Sequence, residues 1–346
     1  MKNRQLILIF VLYLLLFNNN FYFFQSSIYG LQTQPHLTDR KLCLIILDGL
    51  RFDAAVKMPF LNNMYNSDKA VIYKGLCEVP STSRPGYERI LTGTSTKINN
   101  IDNNNKHIPS LIPNLFRISK NNRLKTGFCG YFWVEELYPL DIDYSYFYII
   151  RDGTTFEKSV EMIEKYQPDF MVIHPMSIDN FGHKYGGISK EYKEEVKRID
   201  DKIKNLWYLI EKMNYTLMLV SDHGHKDEGG HGDDNPDCLQ IPICIISNEI
   251  NTFSPINNTN TISQTDIAPT ICDILGIPKT IYMTGNSLVK HDNQIYLIRK
   301  IFSGGIDCNF QDFFNMTSIL TYIIIASQTV IYFACMFVAI RLFIIN

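Results

Sequence analysis

YTLMLVSDHGHKDEGGHG, residues Tyr215–Gly232, joins two opposite kinds of sequence. The first six residues are almost wholly apolar, whereas Ser221–Gly232 contains three His, three acidic residues and four Gly, with no apolar side chain. The short apolar run predicts a buried strand, and the polar, glycine-rich run predicts a loop at its end. The loop alone is compatible with a solvated connection or with a metal site. Acid and His clusters after other strands would favour the metal site, because metal ligands converge from distant parts of a sheet.

The rest of the chain predicts an α/β fold with a mostly parallel sheet. LCLIIL (42–47) and FMVIHP (170–175) are further short apolar runs, as expected for strands that are buried on both faces. Over Lys190–Met213 apolar residues recur at steps of three and four, which predicts an amphipathic helix. Strand, helix and strand in succession imply a parallel crossover, with helices on both faces of the sheet. One catalytic domain is expected over residues 37–303.

Acidic residues and histidines follow each of the three predicted strands. In chain order they are Asp48, then Asp179 and His183, then Asp222, His223 and His231. The carboxyl ends of parallel strands lie at one edge of a sheet, so these side chains should converge there. Three Asp and three His exceed the four ligands of one tetrahedral zinc ion and suit two ions about 3.5–4 Å apart. This ligand set favours Zn²⁺, with Mn²⁺ or another divalent metal as the alternative.

VPSTSRPGYERILTG (Val79–Gly93) is the candidate source of an attacking group. Pro80 and Pro85 fix a turn, and GYERIL is typical of the start of a helix. A hydroxyl near a cation and a helix N-terminus is easier to deprotonate, and the N–H groups there bind phosphate oxygens. Without metal ligands elsewhere, the STS triplet would be interpreted as an ordinary helix cap. Ser81, the first residue past Pro80, is expected to face the metals, and Ser83 is expected to cap the helix.

The two ends of the chain predict membrane attachment. An apolar run behind Lys2 and Arg4 indicates a signal peptide or signal anchor over residues 1–30. An apolar stretch predicts a transmembrane helix over residues 318–341, long enough for about 30 Å of hydrocarbon. Arg341 then favours a cytosolic tail, residues 342–346, and a lumenal or extracellular catalytic domain. We therefore expect a single-pass membrane protein of the secretory pathway or cell surface.

Composition narrows the class of partner. The formal net charge of -2 leaves no basic surface typical of a nucleic-acid-binding protein. The eight Cys residues include no C-x-x-C pair, so they do not indicate a metal framework. Cys77 with Cys129, and Cys238 with Cys308, are alternative disulfide pairs in an oxidising compartment. Three sequons are compatible with a glycoprotein: Asn214, Asn257 and Asn315.

Five motifs occur in an order that resembles the alkaline phosphatase superfamily. They are LDGLRFD, PSTSRPGYERILTG, DNFGH, SDHGH with GGHG, and QTDIAPTICDILGIP (264–278). The chain looks most similar to the type I phosphodiesterase/nucleotide pyrophosphatase family, and the GPI ethanolamine-phosphate transferases are similar at the nucleophile turn. The resemblance covers about Leu42–Pro278 and implies an alkaline-phosphatase-like fold. Sulfatases share that fold, but the residues after Ser81 do not match their formylglycine motif.

The resemblance implies two zinc sites and a serine nucleophile. One ion would be bound by Asp48, Ser81, Asp222 and His223, and the other by Asp179, His183 and His231. Ser81 follows Pro80 as the family's nucleophile follows its own Pro, so the resemblance assigns the covalent phosphate to Ser81. Asn104 aligns with the phosphate-binding Asn, and Arg84 either contacts phosphate or forms a structural ion pair. His225 stands where the family usually has Met, and is either a spare ligand or an exposed loop residue.

These features together predict a membrane-anchored, two-zinc phosphodiesterase or nucleotide pyrophosphatase with a covalent phospho-serine intermediate. Its substrate would be a phosphate ester such as a nucleotide or a lipid head group. The alternatives are an ethanolamine-phosphate transferase of glycolipid synthesis and a catalytically inactive metal-binding ectodomain. The transferases of this resemblance carry many membrane spans, so a single predicted span favours the hydrolase. Occupation of all seven core positions argues against an inactive domain.

Overall fold

The computed structural model describes residues 41–149, 153–254 and 262–290. Within these ranges the chain forms eight strands: β1 (Lys41–Ile46), β2 (Ala70–Leu76), β3 (Thr126–Tyr131), β4 (Tyr144–Tyr148), β5 (Phe170–His174), β6 (Tyr215–Val220), β7 (Gln240–Ile246) and β8 (Ile262–Ser263). All eight lie in one sheet, in the order β4-β3-β5-β1-β6-β7-β2-β8. The three strands predicted from apolar runs are β1, β5 and β6, and they are neighbours at its centre.

The sheet is mostly parallel, as predicted. Every neighbouring pair from β4 to β6 is parallel. β7 is antiparallel to both β6 and β2, and β8 is parallel to β2. The carboxyl ends of β5, β1 and β6 therefore lie side by side at one edge of the sheet, which is where the predicted ligands follow their strands.

Helices connect the strands and cover both faces of the sheet. In chain order they are α1 (Phe52–Ala55), α2 (Pro59–Asn66), α3 (Ser83–Thr92), α4 (Thr96–Asn99), α5 (Leu115–Asn121), α6 (Phe132–Leu137), α7 (Thr155–Tyr166), α8 (Ser177–Tyr185), α9 (Lys190–Ile210), α10 (Pro236–Leu239) and α11 (Ile267–Leu275). The predicted amphipathic helix is α9, and its last predicted residues form a 3-10 turn, Glu211–Met213. Ser189 caps α9 by accepting a hydrogen bond from Tyr192 N–H at 3.1 Å.

The alternation of side chains along β1 shows why both faces must be covered. Leu42, Leu44 and Ile46 pack into the cluster formed with α3, α5, α6 and α11, whereas Cys43 and Ile45 pack into the cluster formed with α2, α7, α8 and α9. All five side chains are fully buried. A strand with two buried faces has an apolar residue at every position, which explains the uninterrupted run LCLIIL.

Several predictions concern parts of the chain outside the described residues. These are the signal segment over residues 1–30, the transmembrane helix over residues 318–341 and the tail over residues 342–346, together with Asn257, Cys308 and Asn315. Within the part of the chain that the structure describes, no helix combines the length and apolar character needed to cross a membrane. Asn214 lies in the turn between the 3-10 segment and β6.

The thiols in the described ranges are buried and free. Cys77 and Cys129 belong to this set, so the alternative in which these two residues form a disulfide is wrong. Cys129 lies in β3 and packs in the core, and Cys77 follows β2. Burial raises the pKa of both thiols to about 12, so they are small core residues with little thiolate character at neutral pH.

Candidate active site

The predicted ligands converge at the carboxyl edge of the central strands. Asp48 follows β1, Asp222 and His223 follow β6, and Asp179 and His183 lie on α8, which follows β5. They form two groups with His231 and a seventh residue, His225, and in each group one ligand atom per residue lies within 4.8 Å of the others. The sequence prediction of two adjacent ligand groups therefore agrees with the geometry of the described residues.

The first group consists of Asp48, Asp222 and His223, all fully buried. His223 Nε2 lies 3.5 Å from Asp48 Oδ1 and 3.3 Å from Asp222 Oδ2. Bonds of about 2.0–2.1 Å to a tetrahedral zinc ion imply distances of about 3.4 Å between ligand atoms, so this spacing fits. The same two carboxylate oxygens are buried without a hydrogen-bond partner. A buried oxygen of this kind is costly unless a cation or donor satisfies it.

Ser83 is the hydroxyl that lies against the first group. Its Oγ is 3.2 Å from His223 Nε2, and the residue is almost completely buried. Ser83 is the first helical residue of α3, and Thr82 is the N-cap. No side chain caps this helix end, so the expectation that Ser83 serves as the helix cap is wrong. The hydroxyl instead lies beside the ligand atoms at a helix N-terminus, where the helix dipole favours negative charge.

Ser81, the predicted nucleophile and metal ligand, lies differently. Its Oγ donates a hydrogen bond to Asp233 O at 2.8 Å and accepts one from Gly232 N–H at 3.0 Å. Its carbonyl oxygen faces His231 Nδ1 at 2.9 Å, where it accepts the ring N–H. The Ser81 hydroxyl is thus bonded to the loop that follows β6 rather than to a residue of the first group. The Ser81 backbone orients His231, because the hydrogen bond from Nδ1–H leaves Nε2 directed at the second group.

The second group contains the predicted residues Asp179, His183 and His231, and also His225. The shared atom is Asp179 Oδ1, which lies 2.8 Å from His225 Nε2 and 3.6 Å from the Nε2 atoms of His183 and His231. His225 is fully buried, so its interpretation as an exposed loop residue is wrong. The composition of the loop is typical of a solvated segment, but the loop packs against α8, where Gly182 lies in close contact with the His225 ring.

Two residues that the sequence analysis did not identify hold Asp48 in place. His174 Nε2 lies 3.0 Å from Asp48 Oδ2, and the Tyr87 hydroxyl donates a hydrogen bond to the same oxygen. Both side chains are fully buried. Occupation of Oδ2 directs the other oxygen, Oδ1, toward the first group. In the sequence, this support could have been inferred from His174, a polar residue at the end of the apolar run of β5.

The electrostatics of the two groups favour a bound cation. Burial, reinforced by the neighbouring Asp48 carboxylate, raises the pKa of both Asp179 and Asp222 well above their ordinary range. Burial also lowers the pKa of His223 and His225 to about 4 and that of His231 to about 2. Neutral imidazole is the form that binds metal, and a divalent cation offsets the repulsion among three buried carboxylates. The donor set therefore fits two transition-metal ions.

The candidate phosphate-binding residues lie at the start of α3. Arg84 N–H donates to Asn104 Oδ1 at 3.0 Å, which places the Asn104 amide next to Ser83. The Arg84 side chain is fully buried in an ion pair with Glu136, and its guanidinium lies 4.8 Å above the Trp133 ring. Of the two roles considered for Arg84, the structural ion pair is therefore the one that the geometry supports.

Arg51, which follows β1, anchors the loop that follows β6. Its guanidinium donates to His225 O at 3.0 Å and pairs with Asp227 at 2.7 Å and Asp237 at 3.2 Å. A further ion pair links it to Asp53 at 2.8 Å. Because Arg51 is almost completely buried, these contacts fix the path of the loop that carries His225 and His231.

Comparison with known proteins shows which family and fold the chain resembles. A family model described as Type I phosphodiesterase / nucleotide pyrophosphatase matches residues 148–237. The chain is 23% identical over 299 residues to the catalytic subunit of GPI ethanolamine phosphate transferase 3 of Homo sapiens, covering 77% of this chain and 26% of that protein. It is 25% identical over 322 residues to GPI ethanolamine phosphate transferase 1 of Yarrowia lipolytica, covering 74% and 34%. The chain thus spans about a quarter to a third of these relatives' length.

Solved structures show the same fold. Murine ectonucleotide pyrophosphatase / phosphodiesterase 5, as an inactive variant in complex with AMP, has a TM-score of 0.59 at 14% identity, covering 73% of this chain and all of that one. The C-terminal periplasmic domain of EcEptC from Escherichia coli, in complex with Zn, has a TM-score of 0.54 at 15% identity, covering 73% and 86%. The comparisons confirm the resemblance to the alkaline phosphatase superfamily, in its type I phosphodiesterase-like branch. Proteins of this branch handle phosphate esters and include hydrolases and transferases.

Proposed function

We propose that this protein is a two-metal enzyme that cleaves a phosphodiester or pyrophosphate through a covalent intermediate on Ser83. The observation that carries the proposal is the position of the Ser83 hydroxyl, buried at the N-terminus of α3 and 3.2 Å from a ligand atom of the first group. Ser83 replaces Ser81 in the nucleophile role, because the Ser81 hydroxyl is bonded to Asp233 O and Gly232 N–H.

The described residues divide the work of phosphoryl transfer. Asp48, Asp222 and His223 would hold one ion beside Ser83, and Asp179, His183 and His231 would hold the second. When bound, such ions lower the pKa of a coordinated hydroxyl and stabilise charge on the attacking and leaving oxygens. Zinc is the ion that the ligand set favours, with Mn²⁺ as the alternative.

Ser83 Oγ would attack phosphorus in line, forming one O–P bond as the bond to the leaving alcohol breaks. The proton of Ser83 passes to solvent water and the leaving oxygen takes a proton from solvent water, so charge is balanced over the step. The Asn104 amide, positioned by Arg84 N–H, offers its nitrogen donors to a phosphate oxygen beside the helix N-terminus. Water then attacks the phospho-serine from the opposite side, which releases the phosphate product and restores Ser83.

A matched pair of serine variants tests the assignment. Ser83→Ala should keep the fold and lose turnover of a diester nitrophenyl phosphate by about 10³-fold or more. Ser81→Ala removes the hydrogen bonds to Gly232 and Asp233 in the loop that follows β6. It should therefore lower the free energy of unfolding by about 1–2 kcal/mol while retaining measurable turnover. The reverse pattern, an active Ser83→Ala and an inactive Ser81→Ala, would return the nucleophile to Ser81. Removal of metal with a chelator should abolish turnover, and added zinc should restore it.

A second candidate function is transfer of ethanolamine phosphate to an alcohol rather than to water. The observation in its favour is that the relatives named above are GPI ethanolamine phosphate transferases. Both functions share the phospho-serine step and differ only in the acceptor. The experiment that separates them presents an ethanolamine-phosphate lipid donor with and without a glycolipid acceptor that carries free hydroxyl groups. Acceptor-independent release of phosphoethanolamine supports the hydrolase, and acceptor-dependent consumption of the donor supports the transferase.

We further propose that the catalytic domain faces the lumen or the exterior and is held at the membrane by the apolar segment over residues 318–341. The support is the sequence pattern, an N-terminal apolar run together with that segment and Arg341. Protease protection on sealed microsomes tests this topology. Digestion of the catalytic domain by protease added outside would reverse it.

A further inference from the structure

His225 belongs geometrically to the second ligand group. Three short distances join Asp179 Oδ1 to the Nε2 atoms of His225, His183 and His231, at 2.8, 3.6 and 3.6 Å. A fourth short distance joins His183 Nε2 to His231 Nε2, at 3.0 Å. A tetrahedron of ligands around zinc has edges of about 3.4 Å, so these distances scatter around the value expected for four ligands of one ion.

The fold holds the His225 ring in this position by close contact with two glycines. A Cβ atom on Gly182 would lie 2.4 Å from the His225 ring, and one on Gly49 would lie 2.8 Å from Nε2. These are the residues next to His183 and Asp48 in the chain, so two ligand-bearing segments close around the imidazole. Gly49 also has φ of 69°, a conformation that favours glycine. The ring is fully buried and cannot turn toward solvent without moving these segments.

The backbone of His225 is fixed as firmly as its ring. Arg51 donates to His225 O at 3.0 Å, and the Tyr192 hydroxyl donates to Gly49 O at 2.8 Å, which holds the segment against which the ring packs. A side chain that only filled space would not need its Nε2 directed at a carboxylate that other ligands share. A methionine at this position would fill a similar volume without offering an imidazole nitrogen.

We propose that His225 is a fourth protein ligand of the second metal ion, which gives that ion a closed Asp–His₃ coordination shell. The proposal rests on the two-metal site of the proposed function and adds an asymmetry to it. The first ion has Asp48, Asp222 and His223 and shares the Ser83 hydroxyl. The second ion has four protein ligands, so a substrate oxygen reaches it only by expanding the shell to five. The second ion should therefore be the more tightly retained.

Metal affinity alone cannot separate a ligand from a residue that orients one, because loss of either weakens binding by about 10–100-fold. A direct count of imidazoles separates them. Asp222→Asn in the full chain disables the first group, so that zinc loaded into this variant reports on the second. Zinc-edge X-ray absorption should then show three imidazole ligands, and Asp222→Asn combined with His225→Met should show two. Two imidazoles in Asp222→Asn, or no bound zinc, would overturn the closed shell.

A second measurement uses the otherwise intact chain and does not depend on turnover. His225→Met should release one of two zinc ions to a competing chelator at least about 10-fold faster than the wild type and keep the other. His107→Gln, a change in an exposed histidine outside both groups, is the control and should retain both ions. Unchanged release from His225→Met would contradict the proposal. A chain that binds two ions as described and shows no turnover would count against the proposed function alone.

Discussion

We predict that Glu88 on α3 makes the stability of the protein depend on pH. Its carboxyl is fully buried, accepts a hydrogen bond from Tyr138 at 2.5 Å and another from Ser110, and lies one turn from Ser83. Burial raises its pKa from 4.5 to about 7, although both hydrogen bonds act in the opposite direction. The folded protein therefore binds a proton at Glu88 more tightly than the unfolded chain does.

The sign of the effect follows from this difference. A raised pKa in the folded state adds stability that is fully present below about pH 4.5 and is lost as the pH rises through about 7. The difference between these pKa values corresponds to about 3 kcal/mol, of which about 2–3 kcal/mol should be lost between about pH 5 and pH 8. Glu88→Gln carries no titratable group and keeps polar atoms for Ser110 and Tyr138, so this part of the pH dependence should disappear.

The assay is urea unfolding of zinc-saturated protein across this pH range. The unfolding free energy of Glu88→Gln, relative to the wild type, should rise with pH and reach about 2–3 kcal/mol at about pH 8. Glu161→Gln on α7, which removes an exposed carboxylate, is the matched control for the loss of one negative charge. If the difference in unfolding free energy between Glu88→Gln and the wild type stays constant with pH, Glu88 does not make stability depend on pH.

Three further predictions concern the support of the metal groups. His174→Gln removes the imidazole that holds Asp48 Oδ2 at 3.0 Å, so isothermal titration should show about 10–100-fold weaker zinc binding at the first group, with the second unchanged. Arg51→Gln leaves Asp227 and Asp237 unpaired and should lower the unfolding free energy by about 1–3 kcal/mol, less than for a fully buried pair because both carboxylates are partly exposed. Chelation leaves three buried carboxylates uncompensated, so calorimetry should show a lower Tm for the metal-free protein, and a Tm that zinc does not change would contradict the site.

The fold was predictable because its central strands are buried on both faces. Such strands appear in sequence as short, uninterrupted apolar runs, and β1, β5 and β6 lie within about two residues of the predicted bounds. The convergence of the six Asp and His residues could be predicted for a related reason. Each follows a central strand, and the parallel order of those strands brings their carboxyl ends together.

The nucleophile proposed from the structure, Ser83, differs from the one predicted from sequence, Ser81, because the start of a helix depends on context. GYERIL indicated a helix that begins after Pro85, but α3 begins at Ser83 and includes Pro85 in its first turn. Proline is tolerated there, since the first N–H groups of a helix have no partner within it. That shift of the helix start brings Ser83 to the N-terminus and leaves Ser81 in the preceding segment, bonded to Gly232 and Asp233.

His225 is buried in the structure, which its local sequence did not predict. Its neighbours in sequence are Gly224, Lys226 and Asp227, which together are typical of a solvated loop. Gly49 and Gly182, which contact the His225 ring closely, are distant from it in sequence. Neither has a side chain, so no sequence pattern indicates that they would bury the ring. Burial created by close backbone approach is a property of the tertiary structure, so local composition could not predict it.

The position of the covalent phosphate tests the proposed nucleophile role of Ser83 most directly. The wild-type chain would be mixed with a phosphodiester substrate, quenched in acid and digested, and the phosphopeptide spanning Val79–Gly93 would be sequenced by mass spectrometry. We predict a single phosphate on Ser83, absent from Ser83→Ala and present in Ser81→Ala. Phosphate on Ser81 or Thr82, or turnover with phosphate on none of these residues, would contradict it.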